Sequence, residues 1–141
     1  MSSKTATPKA LANTLKGFNA MLDVCIEKET KDGAATVAEH ERLKTTGHDK
    51  QGRTGDGCTD AQHDEIITFH GKNGERATKL CAEIRADLTK FLKEQNVKDA
   101  EDLLAAAPAF CAKWSDFARE IRSNAARVHF TAALNLLAGA R

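Results

Sequence analysis

The chain has 141 residues, which is enough for one domain of ordinary size and too few for two. Its 21 lysines and arginines nearly balance 20 acidic residues, so the basic excess typical of a dedicated nucleic-acid binder is absent. Charged residues make up 29% and hydrophobic residues 41%, a globular composition rather than a disordered one. No apolar run approaches the roughly 20 residues that a membrane span needs.

The first predicted element is a long amphipathic helix over residues 8–46. Apolar side chains recur at steps of three and four along its first half, which places them on one face. Thr7 and Pro8 are typical of a helix start, because threonine caps free amides and proline fits the first turn. Residues 1–7 are therefore predicted to be a tail.

A flexible loop and a second helix follow. Residues 47–59 are polar, hold four glycines and show no hydrophobic period, which favours a flexible loop. The second helix is predicted over 60–95, and Thr59 with Gln62 fits a capping box at its start. Two glycines within 71–74 interrupt this helix. The apolar pattern keeps its phase across them, which favours one continuous helix over a break.

The last third of the chain is predicted to hold a short helix near 99–107 and a long helix over 108–138. Pro108 is typical of a first helical position. The resulting fold class is all-α: an elongated up-down-up bundle of three long helices that forms a single domain, 1–141. The apolar faces are rich in alanine and bury a thin core, and such a bundle gains stability from a partner.

Histidines form the most suggestive group of candidate ligands. Counting residues along the three predicted helices at 1.5 Å per residue puts His40 level with His63 and His70 near His129. Imidazole is a common ligand for transition metals and haem. The paired Glu-x-x-His motif of metal-binding bundles and the His-Glu-x-x-His motif of zinc proteases are both absent. Two interpretations stay open: metal or haem ligands, or core histidines bonded to polar neighbours.

The cysteines give a second candidate cluster. Cys25 and Cys81 fall in one layer of the predicted core, either as packed thiols or as a disulfide or metal pair. Cys58 lies in the loop and is predicted to be the exposed thiol. No two cysteines have Cys-x-x-Cys spacing, which excludes a zinc ribbon or a thioredoxin-type motif.

The predicted last helix carries a basic edge of Arg119, Arg122 and Arg127. We expect this edge to face solvent or a protein partner, because no exposed aromatic residues interleave with it as in nucleic-acid sites. Residues 47–54 approximate a phosphate-binding loop. They lack its lysine and a preceding strand, so a nucleotide site is not expected.

The sequence contains no recognisable catalytic motif. It favours a non-enzymatic helical interaction or structural subunit, within a larger assembly or a homo-oligomer, that needs no cofactor. The alternative is a helical bundle that binds a transition metal or haem through its core histidines. The first residues lack the apolar run of a secretory signal, so an intracellular, cytoplasmic location is expected, with an organelle matrix as the alternative.

Overall fold

The computed structural model describes the backbone of residues 2–139 and the side chains of residues 9–139. Over this range the chain is all-α, as predicted. The helices are, in chain order, α1 (Ser2–Lys44), α2 (Asp60–His70), α3 (Asn73–Glu94), α4 (Ala100–Trp114) and α5 (Asn124–Leu137), with a 3₁₀ helix (Ser115–Glu120) between the last two. The assigned α1 covers residues 2–7, which the sequence predicts as a tail.

The arrangement differs from the predicted bundle of three long helices, because α1 is much longer than the other helices. The predicted helix over 60–95 breaks at Gly71 and Lys72 into α2 and α3. Both pieces nevertheless stay against α1. His63 near the start of α2 contacts His40 of α1. Arg85 in α3 donates to Asn19, which lies far below His40 on α1. The break is therefore a kink in a descending pair of helices, and the chain does not reverse there.

The predicted helix over 108–138 is also wrong as a single element. Pro108 lies inside α4, whose start is capped by the Asp99 side chain accepting from the Asp102 amide. The chain then turns through the 3₁₀ helix, and the Ser123 side chain caps α5 by accepting from the Ala126 amide. No glycine or proline marks this reversal in the sequence, and the buried Ile121 continues the apolar pattern across it.

Contacts between the helices set their directions. Trp114 of α4 donates to Asp87 of α3, and Phe110 packs on Phe91 one turn along, so α4 rises against the descending α3. Ser123 before α5 bonds Glu29 of α1, and Leu136 near the end of α5 lies by Gly17, so α5 descends again. The lower part of the molecule is therefore an up-down-up-down arrangement of α1, α3, α4 and α5.

The hydrophobic core lies in this lower part. Its largest fully buried apolar side chains come from α1, α3, α4, α5 and the turn before α5: Phe18, Leu22, Ile84, Phe110, Ile121, Phe130 and Leu137. Since α5 begins at the height of Glu29 and Asp32, α1 continues above that point with only α2 beside it. Residues 33–72 thus form a two-helix projection closed by the loop 45–59.

A buried carboxylate joins α1 to the start of α5. Glu29 is 2% exposed and accepts from the amides of Arg122, at 2.7 Å, and Ser123, at 2.8 Å. Asp32 accepts from the Ser123 hydroxyl one turn further along α1. Hydrogen bonds to a carboxylate are stronger than neutral ones, and negative charge is favourable at a helix N-terminus. This contact sets the height at which the fourth helix enters the bundle.

Replacing Glu29 by alanine should lower the free energy of unfolding by about 3 kcal/mol, because two buried amides lose a charged acceptor. Chemical denaturation followed by circular dichroism measures this loss. The matched control is Glu27→Ala, which removes an exposed carboxylate from the same turn and should change stability by less than about 0.5 kcal/mol. Equal effects of the two variants would contradict the role given to Glu29.

Gly33→Ala should destabilise the protein by about 1–2 kcal/mol, although alanine is the better helix former. A Cβ at Gly33 would lie 2.7 Å from the His70 carbonyl oxygen, which is backbone and cannot rotate away. At Gly17 the same atom would meet only the Leu136 side chain, at 3.3 Å. Thermal melting of the two variants should therefore show Gly33→Ala below wild type and Gly17→Ala at or above it.

Candidate functional site

The loop 45–59 folds back onto the tip of the projection. The Asp49 carboxylate accepts from the amides of Gln51 and Arg53, at 2.9 and 2.8 Å. The Thr54 amide donates to the Cys58 carbonyl, and Arg53 pairs with Thr59 in a single antiparallel bridge. The loop thus supplies many of its own hydrogen-bond partners and covers the inner side of α2. Its flexibility stays a prediction.

His63 is fully buried beneath this loop and uses both ring nitrogens. Its Nδ1 lies 2.8 Å from Nδ1 of the half-buried His40. Its Nε2 lies 2.7 Å from the Thr54 hydroxyl and 3.4 Å from an Asp56 carboxylate oxygen. The side chains of α1, the loop and α2 therefore meet at one point.

One arrangement of the hydrogen atoms satisfies these contacts with both rings neutral. The Thr54 hydroxyl donates to Asp56, and this bond is the main cause that lowers the pKa of the Asp56 carboxyl. The Thr54 oxygen then accepts from Nε2–H of His63, so Nδ1 of a neutral His63 carries a lone pair. That lone pair accepts from Nδ1–H of His40. The free Nε2 of His40 is left as an acceptor.

Three potential metal ligands come together at this point. One ligand atom from each of His40, Asp56 and His63 can be chosen so that all three lie within 4.8 Å of one another. The sequence placed the two histidines at the same height but missed Asp56. An acidic residue in the loop was not a sufficient signal, because Asp49 of the same loop does not join the cluster and the fold of the loop selects Asp56.

The other two candidate ligands do not join this cluster. His70 bonds the buried Asn73 side chain, and burial is the main cause that lowers the pKa of its imidazole. His129 bonds the Ala125 carbonyl of its own helix. Because α5 descends from the height of Glu29, His129 lies roughly 15 Å below His70 along the bundle. The expected pairing of His70 with His129 is therefore wrong.

Cys25 and Cys81 do share a layer of the core, as free, fully buried thiols. The hydrogen bond with the Cys81 sulfur, followed by burial, raises the pKa of the Cys25 thiol. Cys58 is half-buried rather than fully exposed. Burial is also the main cause that raises the pKa of the Cys58 thiol, with the Asp56 charge adding to it.

The basic edge is not a face of one helix. Arg119 belongs to the 3₁₀ helix and Arg122 to the turn after it, so only Arg127 lies in α5. Their guanidinium groups donate largely to backbone carbonyls of this reversal: Arg119 to Asp116, Arg122 to Arg119, and Arg127 to Arg122. The three arginines help to close the turn between α4 and α5.

A shallow apolar groove runs between α1 and α2–α3, from the projection down into the upper part of the four-helix region. It has a volume of about 830 Å³. Its floor consists mostly of small residues, and charged side chains stand at its rim: Thr30, Ala34, Val37, Ala38 and Glu41 from α1, and His70, Gly71, Gly74, Glu75, Thr78, Lys79 and Ala82 from the opposite side.

No protein-family model, characterised protein sequence or solved structure matches this chain. Among the described residues 2–139, no helix is both long enough and apolar enough to cross a membrane.

The burial of the thiols leads to a labelling prediction. In native protein, iodoacetamide should modify only the half-buried Cys58 and Cys111, as read by mass spectrometry of peptides. Unfolding in denaturant without reductant should expose Cys25 and Cys81 as free thiols. A pair that stays unlabelled until reductant is added would show a disulfide instead, and labelling of either residue in native protein would contradict their burial.

Proposed function

We propose that this protein is a non-enzymatic helical subunit that associates with a second copy of itself through the groove of the projection. The observation that carries this proposal is an uncovered apolar floor between α1 and α2–α3, which begins in the two-helix projection and extends below it. Four helices cover one another in the lower part, whereas the groove between α1 and α2–α3 faces outward. A second helical layer packed on the groove would bury the apolar surface that the single chain leaves exposed there.

The floor of the groove suits close packing by another helical layer. Ala34, Ala38, Gly71 and Gly74 lie along it, and none has a side chain larger than a methyl group. Helices approach one another most closely where the contact residues are small, because interaxial distance depends on the side chains between them. Ala34 and Ala38 are exposed in the single chain, so apolar surface is available for burial.

Charges at the rim favour a second copy as the occupant. Gly33 packs on the His70 carbonyl, so the middle of the groove lies at that height. Glu41 lies about two turns above it on α1. Lys79, beside Cys81 and hence near the height of Cys25, lies about two turns below it. A two-fold axis through the middle therefore brings Glu41 of one copy to the height of Lys79 of the other, at two symmetric places.

Both rim residues are available for such pairing. Glu41 and Lys79 are exposed, and neither forms an ion pair among the side chains of residues 9–139. A two-fold contact uses the same patch on both copies, so each copy must present both charges of the pair. The groove meets this requirement. A protein of different sequence as the occupant is the main competing possibility, and binding of haem by the bundle stays a prediction.

Sedimentation velocity should show a dimer as the concentration rises to about 100 µM, with Ala34→Glu remaining monomeric. The substitution places two unpaired carboxylates at the centre of the contact and should raise the Kd at least about 30-fold. The matched control is Ala35→Glu, since Ala35 is also exposed but does not line the groove. It should leave the dimer intact, and circular dichroism should show both variants folded.

Charge reversal tests the two-fold arrangement separately. Glu41→Lys and Lys79→Glu should each weaken the dimer about tenfold, because like charges replace opposite ones at two places. The double variant should recover the wild-type Kd. A protein that stays monomeric throughout, or a dimer that Ala34→Glu does not weaken, would overturn the proposal and leave the groove to a different partner.

A further inference from the structure

We propose that His40, His63 and Asp56 bind one divalent transition-metal ion of the zinc class at the tip of the projection. None of the three residues lines the groove, so this site is separate from the proposed dimer contact. The ion would join α1, the loop and α2, which are the three segments that these residues occupy.

The two imidazoles supply the first argument. Their Nδ1 atoms face each other at 2.8 Å, so two nitrogens that can each present a lone pair converge on one point. A cation at that point accepts lone pairs from both rings. Nε2–H of His63 would keep its bond to the Thr54 hydroxyl, which in turn donates to Asp56. A ligating histidine whose other nitrogen donates to a fixed acceptor is the usual arrangement around protein-bound metals.

Asp56 supplies charge and is already oriented. Its carboxylate accepts from the Thr54 hydroxyl and from the Cys58 amide, the latter at 3.2 Å. These bonds hold one carboxylate oxygen beside His63, 3.4 Å from its Nε2, and rotation of the exposed Asp56 side chain would bring the carboxylate to an ion at the Nδ1 atoms. A negative ligand strengthens binding at the tip, since two neutral imidazoles leave the charge of a divalent ion uncompensated.

The spacing and the donor types select the class of ion. Ligand atoms around a tetrahedral ion with bonds of about 2.0–2.1 Å are separated by roughly 3.3 Å. The two Nδ1 atoms are closer than this, at 2.8 Å, and all three ligand atoms lie within 4.8 Å of one another, so rotation of the half-buried His40 and the exposed Asp56 would give the required spacing. Two nitrogens and one carboxylate favour zinc, cobalt, nickel or copper over calcium and magnesium, which prefer oxygen ligands. The exposed Asp56 gives the ion access from solvent and leaves a position for water.

Binding should also stabilise the fold. The site joins residues separated by 23 positions in the chain, and an ion that binds the folded state alone raises the free energy of unfolding. A shift in melting temperature therefore serves as a readout that needs no knowledge of activity.

The test is titration of the full, untagged chain with Co²⁺, followed by its absorption bands, and with Zn²⁺, followed by native mass spectrometry. Wild type should bind one ion and melt at a higher temperature with it. His40→Ala and Asp56→Asn should each raise the Kd at least about tenfold and remove the thermal shift. His63 is left unchanged, because its removal would empty a fully buried position.

Two histidine variants serve as controls. His48→Ala removes a loop histidine that pairs with Asp60 at the start of α2, and His129→Ala removes a histidine on α5. Neither should change the affinity or the stoichiometry. The proposal is overturned if wild type retains no ion, or if His48→Ala or His129→Ala abolishes binding while His40→Ala does not. Circular dichroism of the metal-free variants shows that lost binding does not reflect lost folding.

Discussion

The upper half of the molecule depends on the contact between the Glu29 carboxylate of α1 and the backbone amides just before α5. The first amides of a helix have no partner within the helix, and burying them without an acceptor is costly. Here the amide of Ser123, the residue that caps α5, and the amide of Arg122 before it donate to Glu29 of α1. α5 must therefore begin at that height, and the four-helix part of the bundle ends there.

This termination creates the unusual features higher up. Above Asp32 the chain has two helices and a loop, which is too little material to build an apolar interior. The buried side chains in this region are accordingly polar: Thr54, His63 and Asn73. Each has hydrogen-bond partners, as buried polar groups require. The same thinness leaves one face of the projection as an open groove, so the polar tip and the groove have a common structural cause.

The two proposals concern different surfaces and different interactions, namely helix packing at the groove and metal coordination at the tip. The groove offers small residues and reciprocal charges, which suit a second helical layer. The tip offers two imidazoles and a carboxylate aligned by hydrogen bonds, which suit a cation. An ion at the tip would hold the loop against α1 and α2 without touching the floor of the groove. Dimerisation and metal binding can therefore be measured independently.

Features that depend on local periodicity and on one antiparallel helix pair could be predicted from the sequence. The apolar pattern of α1, the Thr59 and Gln62 capping box, and the shared heights of His40 with His63 and Cys25 with Cys81 all follow from counting along two helices joined by one loop. The positions of α5, Glu29 and Asp56 depend on tertiary contacts. The turn between α4 and α5 has no glycine or proline, and Ile121 keeps the helical phase through it. The hydrophobic pattern therefore did not indicate the reversal of direction that separates His129 from His70. Glu29 binds backbone amides, which no side chain signals, and Asp56 reaches His63 only because the loop folds back.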